Sequence, residues 1–541
     1  MAQTSIDSLP EEIMINIFGY LSPKMLKRSC WVSRRWNQII KDSREFKDKF
    51  RLTLNDFKEL DEYRNGKFSR NFDLVIINPR NSHDCMIEGF KDVVNPHTLK
   101  TLELVRFNMK LSELVELLNY LPELEVFALK AVTLDGFPRA FTKKAKVKKL
   151  KNLTIYGECF ILDNFLKTLD VNSLKELSVD FSRVSDYSCV KQLIKLLEEQ
   201  KELKNLTIGP SATWLFYQFT EIFNFKFRLT QFVMQGNKIG NINAFFQFLT
   251  IHSDTLEKLI LQCMPPEYVF EVYEFVWNKL PVLKHTDLNA KDFYRYDWML
   301  DSHPELLARY TEKLSSIESV DFLGVVDKMD IRSRFFKLIL SKFSNAKSID
   351  LSKINVDISW NTIIRHIGKE MKNLTVLRMP EKFEQKVLKS VHFPKLTEFT
   401  LRKIEDIEQV RHFIRRHSHS LEKVSFQWSE IDLIGTIIDE IRYCKNNKLV
   451  TISAQPKEAA RLFNVLKTRA RGNKAWNLKL EICEHVKYIY NYKFPDDVAF
   501  WNEHNNYWHG GFKETWSLSV VADEVSPLHF MPINCLMMFR Q

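Results

Sequence analysis

One short pattern of apolar and polar positions returns along most of the chain. It has the form L-x-x-Φ-x-Φ, where Φ is an apolar residue, and residues 150–155 and 203–208 both read L-K-N-L-T-I. Close variants begin at Leu99, Leu124, Leu174, Leu256, Leu374, Leu396 and Leu421, and weaker copies begin at Leu229, Leu283, Ile317, Ala346 and Leu449. The copies recur about every 27 residues, a period that chance coincidences of apolar positions would not keep.

The stretches between the copies carry apolar residues at helical spacing. Clear examples are Leu114, Leu117, Leu118 and Leu121, then Val190, Leu193, Ile194 and Leu197, then Phe335, Phe336, Ile339, Leu340 and Phe343. Each repeat therefore predicts one short strand and one amphipathic helix. Such a unit cannot bury its apolar face alone, so neighbouring repeats are expected to stack with parallel strands. Phe72, Leu74 and Ile76 predict an earlier copy, and Trp476, Leu478 and Leu480 predict a later one.

The period and the strand–helix unit resemble leucine-rich repeats. The resemblance implies an α/β solenoid over residues 71–490, a horseshoe with parallel strands inside and helices outside. The chain departs from the family at the ninth repeat position, where Asn or Cys usually ties down the turn backbone. Of the fourteen copies only one matches, with Asn237, while Phe107 and Glu158 stand there in others. Other groups must therefore satisfy these turns.

The first 45 or so residues predict three short, unusually apolar helices. Ser8 is a candidate N-cap, with Glu11 at the capping-box spacing and Pro10 near the first helical position. Apolar residues then follow in three groups: Ile13, Met14, Ile15, Ile17, Phe18, Tyr20 and Leu21; Met25, Leu26 and Cys30; Val32, Trp36, Ile39 and Ile40. Three such helices bury too little surface for an independent core, so this segment either caps the next domain or is completed by a partner protein.

The same residues resemble the F-box motif in order and spacing. The resemblance covers about residues 5–50, and Phe46 takes the place of the aromatic residue expected beyond Asp42. It implies binding of the small adaptor protein of SCF-type cullin-RING ubiquitin ligases, and through it a cullin. The adaptor-facing residues would be Leu9, Pro10, Ile13, Ile17, Phe18 and Leu21. Val32, Trp36 and Ile39 would continue that surface or pack the small core, and the residues themselves leave both open.

Composition and charge are those of a folded protein with a modest basic excess. Hydrophobic residues make up 45% of the 541 residues, enough for a folded core, and the net charge of +11 is modest for this length. The densest basic run is residues 143–151, K-K-A-K-V-K-K-L-K. We interpret it as a solvated turn leading into a strand, the alternatives being a nuclear-import signal or a nucleic-acid patch. Nucleic acid is not the expected partner, because no aromatic residues alternate with these lysines.

No catalytic or metal-binding constellation occurs in the sequence. The eight cysteines form no C-x-x-C pair, and His417 and His419 have no further ligands nearby in sequence, so no metal or cofactor is predicted. We read both histidines as exposed residues at a helix end. No basic and apolar leader opens the chain, and no apolar run has membrane-spanning length. We therefore expect a cytoplasmic or nuclear protein that is not an enzyme and has no membrane contact.

One acidic row is a candidate binding site for a client, that is, a protein held for ubiquitination. At the fifth repeat position, which should face outward on the concave sheet, Asp287, Asp321 and Asp350 are consecutive, with His285 and Asn289 beside them. Aligned like charges on neighbouring strands repel one another. The hypothesis is that a basic segment of a client neutralises this row, and the alternative is an acidic patch screened by water and salt.

Together the two resemblances predict an F-box protein with leucine-rich repeats. Its parts would be an F-box at 1–50, a linker at 51–70, the solenoid at 71–490 and a C-terminal cap or tail at 491–541. The implied function is client recognition for a ubiquitin ligase, leading to proteolysis of a client whose identity the sequence does not reveal. The alternative is a non-degradative scaffold, or a nucleic-acid-associated repeat protein, whose N-terminal helices only cap the repeats.

Overall fold

The chain forms two compact units, Met1–Leu283 and Lys284–Gln541. The structure, a computed structural model, describes residues 9–19, 21, 26, 29–30, 32–43, 46, 51–54, 60–61, 74–78, 86–106, 108–135, 143–182, 188–209, 216, 224–235, 239–262, 268–289, 316–325, 333–355, 359–427, 437, 440, 449–454 and 478–482. The predicted cap or tail at 491–541 lies outside these residues, as do Phe72, Phe107, Asn237 and Trp476.

The first unit begins with helices α1 (Glu11–Gly19) and α2 (Arg34–Asp42). Glu11 and Glu12 lie in the first turn of α1, where negative charge is favourable. Ser33 caps α2, because its side chain accepts a hydrogen bond from the Trp36 N–H at 3.1 Å. The helix predicted between them falls largely outside the described residues, of which Leu26 and Ser29 are helical.

The rest of the first unit alternates strands with helices. The strands are β1 (Arg51–Leu54), β2 (Leu74–Ile77), β3 (Thr101–Val105), β4 (Asn108–Lys110), β5 (Val126–Asp135), β6 (Ala145–Lys146), β7 (Asn152–Glu158), β8 (Leu169–Asp170), β9 (Glu176–Ser182), β10 (Asn205–Ile208), β11 (Gln231–Met234) and β12 (Lys258–Leu261). The helices are α3 (Met86–Val93), α4 (Leu111–Tyr120), α5 (Cys159–Thr168), α6 (Ser188–Glu199), α7 (Ile242–Ile251) and α8 (Val269–Lys279). The main sheet runs in parallel through β1, β2, β3, β5, β7, β9, β10, β11 and β12.

The second unit repeats this architecture. Its strands are β13 (His285–Asn289), β14 (Ser319–Val325), β15 (Ser348–Asn355), β16 (Val376–Arg378), β17 (Glu398–Leu401), β18 (Lys423–Gln427), β19 (Leu449–Ala454) and β20 (Leu478–Ile482). They pair in parallel in chain order. The helical elements are α9 (Ser333–Lys342), α10 (Trp360–Glu370), a 3-10 helix (Gln385–Ser390) and α11 (Ile407–Arg416).

The alternating pattern predicted from the repeat text explains the packing. Each of the fourteen copies coincides with a strand, and in the thirteen copies from Leu99 to Leu421, whose side chains the structure describes, the residues at the fourth and sixth positions are buried, as Leu102 and Leu104 are in β3. Helical aromatics pack on these residues: Phe127 of β5 lies 6.3 Å from Phe165 of α5, and Phe399 of β17 lies 4.6 Å from Phe413 of α11, between ring centroids. The prediction of a mixed α/β fold with parallel strands is confirmed, and this strand order fits a repeat solenoid.

Strand register corrects the prediction at both ends of the array. In β2 the buried residues are Val75 and Ile77, and Leu74 pairs with Thr101, so the buried pair holds the fourth and sixth positions of a copy that begins at residue 72. Strand β1 pairs with β2 and lies inside the segment predicted as a linker. In β19, Thr451 lies opposite Ser425, so the fifth repeat position there is Thr451 and not Ser453. A shift of one residue reverses which side chains reach the core, because side chains alternate along a strand.

Buried polar side chains that follow helices satisfy several of the turns. Gln200, directly after α6, accepts the Leu174 N–H through Oε1 at 3.0 Å and donates through Nε2 to two carbonyls. His252, directly after α7, accepts the Leu229 N–H through Nδ1 at 3.4 Å. His417, directly after α11, accepts the Phe393 N–H through Nε2 at 3.0 Å. Each ties the turn before one strand to the turn before the preceding strand, a task that Asn performs in more regular repeats.

Candidate partner-binding site

The described part of the N-terminal segment, residues 9–46, has its own small core. Phe18 of α1 and Trp36 of α2 are 1% and 3% exposed, and their rings meet edge to face with centroids 5.1 Å apart. Phe46 lies 6.5 Å from the Phe18 ring. The remaining buried members of this cluster are Met14, Leu26, Ile39 and Ile40. Edge-to-face aromatic contacts and apolar burial therefore fix the two helices against each other.

Two large apolar side chains on this segment point into solvent. Ile13 is 45% exposed and Val32 is 52% exposed, and no other large hydrophobic residue in the described ranges is comparably exposed. Ile13 is on α1 and Val32 precedes the Ser33 cap of α2, so both lie on the same small element. These two side chains are the candidate contacts of this segment with another protein.

The predicted adaptor-facing residues divide into three groups in the structure. Ile13 and Val32 are exposed, as is Pro10. Leu9, Ile17 and Leu21 are half-buried and pack against the small core. Phe18 and Trp36 are inside it. The resemblance implies that Phe18 faces the adaptor. In the structure, however, Met14 and Phe18 form the side of α1 that faces the small core. Trp36 takes the second of the two roles that the sequence left open.

The acidic row is present, and two of its three members are buried. Asp287, Asp321 and Asp350 are directly opposite one another on β13, β14 and β15, as predicted. However, Asp287 is 1% exposed and Asp350 is 3% exposed. Asp321 is half-buried, so one of the three carboxylates is partly accessible, and binding of a basic client by this row stays a prediction.

The chain itself supplies positive charge to two members of the acidic row. Arg378 Nη1 lies 3.3 Å from Asp350 Oδ2, and Lys353 Nζ lies 4.0 Å from Asp321 Oδ2. Ser352 donates both its backbone N–H and its hydroxyl to Asp350 Oδ1, at 2.9 and 2.6 Å. His285 is half-buried at the start of β13, and the side chain of Asn289 lies outside the described residues.

The two histidines considered as metal ligands have separate environments. His417 is fully buried, whereas it was predicted to be exposed, and His419 is exposed as predicted. Within the described part of the chain, no group of three or more His, Cys, Asp or Glu side chains could hold a metal ion. In the same part of the chain, no helix combines the length and apolar character needed to cross a membrane.

The basic run at 143–151 alternates buried apolar residues with exposed lysines. Ala145, Val147 and Leu150 are buried, and β6 pairs with β8. Lys143 pairs with Glu116 at 3.6 Å, and Lys149 pairs with Glu123 at 2.6 Å. This arrangement fits the turn leading into a strand that the sequence favoured.

Comparison with known proteins supports the reading of the N-terminal segment. Residues 6–50 match the F-box-like domain, which supports an F-box protein. Comparison with curated proteins found no significant match. F-box domains in general bind the adaptor of SCF ubiquitin ligases, and the proteins that carry them are generally non-catalytic substrate receptors.

Proposed function

We propose that this chain is the substrate-recognition subunit of an SCF-type cullin-RING ubiquitin ligase. Residues 6–50 would bind the small adaptor protein, and the repeats would hold a client for ubiquitin-dependent proteolysis in the cytoplasm or nucleus. The observation that carries the proposal is the exposed pair Ile13 and Val32 on the F-box-like segment, at 45% and 52% exposure.

The physical basis is the separation of core and surface within this segment. Phe18 and Trp36 are buried in the internal core, where they hold the two helices together. Ile13 and Val32 remain on the surface. Burying an exposed aliphatic side chain in an interface is worth roughly 1.5–3 kcal/mol. The adaptor-binding surface would therefore centre on Ile13 and Val32, with Pro10 exposed beside them and Leu9, Ile17 and Leu21 partly accessible.

The client would lie on the face of the sheets opposite the helices, in a leucine-rich-repeat horseshoe. Along β3 and β7 the third, fifth and seventh repeat positions are partly exposed, whereas the fourth and sixth are buried. Side chains at the exposed positions are available for contact without disturbing the core. Holding a client lysine near the charged ubiquitin carrier raises its effective concentration, so the chain needs no catalytic group of its own.

The test is adaptor capture by the full chain after Ile13→Asp and Val32→Asp are introduced together. Losing two apolar contacts, with a carboxylate buried at each, is expected to weaken adaptor binding at least 100-fold by isothermal titration calorimetry. Thermal unfolding should stay the same, because both positions are exposed in the free protein.

Asn16→Asp is the control for added charge on this segment, since Asn16 is an exposed position of α1 and the change adds one negative charge without removing an apolar side chain. It should bind the adaptor like the original chain. If the wild-type chain captures neither adaptor nor cullin, the proposal is wrong, and the N-terminal helices are a cap of the repeats.

A further inference from the structure

A row of lysines stands where the strands of the first unit begin. The residue just before the third repeat position is lysine in three consecutive repeats, namely Lys151, Lys175 and Lys204. The Lys175 N–H donates to the Lys151 carbonyl at 2.7 Å, and the Lys204 N–H donates to the Lys175 carbonyl at 2.8 Å. The three residues therefore lie side by side on neighbouring strands, whose backbones are roughly 4.8 Å apart, and all three side chains are exposed.

Earlier in the same row the charges alternate. Glu125 stands between Lys100 and Lys151, joined to them by the same backbone ladder. Its carboxylate accepts a hydrogen bond from Lys151 Nζ at 2.6 Å and lies 3.9 Å from Lys100 Nζ. The hydrogen bond from Lys151, together with the nearby lysine charges, lowers the pKa of Glu125. A carboxylate between two lysines of this row is thus a stable arrangement.

The alternation stops after Lys151. Neither Lys175 nor Lys204 forms an ion pair with any residue that the structure describes. The carboxylate adjacent to Lys175 in sequence, that of Glu176, is held on both sides by amides instead, since Asn152 Nδ2 and Asn205 Nδ2 each donate to it at 2.9 Å. Adjacent like charges are unfavourable on a sheet, so this end of the row lacks the partner that its beginning has.

We propose that Lys151, Lys175 and Lys204 form a docking site for an acidic segment of a partner protein. Carboxylates of that segment take the place beside Lys175 and Lys204 that Glu125 holds beside Lys100 and Lys151. The identification of this partner as a client for ubiquitination rests on the proposed function.

The chemistry of this surface favours a polypeptide over a nucleic acid. The surrounding segments, residues 143–151, 171–175 and 199–204, contain no aromatic residue on which a base could stack. Carboxylates, in contrast, are already bound by lysines here, at Glu123 and Glu125. Electrostatic attraction of this kind accelerates association and selects for charge pattern.

The experiment is fluorescence anisotropy of a labelled decaglutamate peptide titrated with the full chain at low salt. Lys175→Glu with Lys204→Glu is expected to weaken binding about tenfold. The milder Lys175→Gln with Lys204→Gln should lose severalfold, and it keeps the test valid if charge reversal disturbs folding. Lys191→Glu with Lys195→Glu, at exposed positions of α6, changes the net charge equally and should leave binding within twofold.

Two outcomes would overturn the inference. Equal losses in the α6 control would mean that the peptide only senses net charge. A single-stranded RNA oligonucleotide that binds more tightly than the peptide, and loses affinity on the same lysine changes, would make the row a nucleic-acid site. The adaptor takes no part in this measurement, so the inference and the proposed function can fail independently.

Discussion

Replacing Gln200 with methionine is expected to destabilise the first unit by about 3–9 kcal/mol. The side chain is fully buried and makes three hydrogen bonds, to the Leu174 N–H and to the carbonyls of Val171 and Leu196. Methionine keeps nearly the same shape but satisfies none of these groups. Each buried group left unpaired costs about 1–3 kcal/mol. Urea unfolding should record the loss.

Hydrogen exchange supplies the local readout, because the Leu174 amide is the one that Gln200 protects. Its exchange should accelerate more than that of amides elsewhere in the unit. Gln192→Met, at a half-buried position of α6, is the matched control and should change stability by less than about 0.5 kcal/mol. If the two variants unfold alike, Gln200 is not a tie between turns but an ordinary helix-end residue.

Mild acid is expected to destabilise both units through two buried histidines. Burial lowers the pKa of His252 to about 3, helped by the positive charge of Arg228. Burial lowers the pKa of His417 to about 4, opposed by its hydrogen bond to the Phe413 carbonyl and reinforced by His392, Arg416 and His419. In both cases the folded chain holds the neutral imidazole, since the ring accepts a backbone N–H that a second ring proton would displace.

The direction of the effect follows from proton binding. Below the ordinary pKa of 6.5 the unfolded histidines take up protons and the folded ones do not, so stability is complete above pH 6.5 and falls as pH falls. Each histidine should cost about 2 kcal/mol at pH 5, and the loss continues toward pH 4 for His417 and pH 3 for His252. Urea unfolding between pH 7.5 and pH 5 measures it above the range where carboxylates titrate.

His417→Gln separates this effect from general acid sensitivity. Glutamine can still accept the Phe393 N–H but does not titrate, so the pH dependence of the second unit should become shallower by about 2 kcal/mol at pH 5. His412→Gln, at an exposed position of α11, should leave the profile unchanged. An identical pH profile for all three chains would refute the assignment to His417.

The repeat array was predictable wherever its text was strong. A leucine followed by two apolar positions at fixed spacing can bury those residues only in one register, so the strands of the strong copies lie where the sequence places them. The register of β2, in contrast, depends on its neighbouring strands. Residues 74–77 read L-V-I-I, which is apolar on both faces, so the residues themselves do not choose a register. Hydrogen bonds to β1 and β3 make the choice.

The candidate sites show the same division. The alignment of Asp287, Asp321 and Asp350 followed from the period, but the basic partners of Asp321 and Asp350 did not. A shift of register between β14 and β15 brings Lys353 opposite Leu323, within reach of Asp321, and no repeat text encodes such a bulge. Likewise Gln200, His252 and His417 were detectable only as polar residues three or four places before a repeat leucine.

The sequence by itself determined the strand–helix repeat and the parallel order of its strands, because these follow from local spacing of apolar residues, and its resemblance to the F-box motif indicated the character of the N-terminal segment. Only the tertiary structure decided that Phe18 and Trp36 lie inside while Ile13 and Val32 lie outside. Helix α1 is apolar nearly all round, so which stripe becomes the core depends on where α2 packs against it. That contact joins residues distant in sequence, and no local pattern of one helix specifies it.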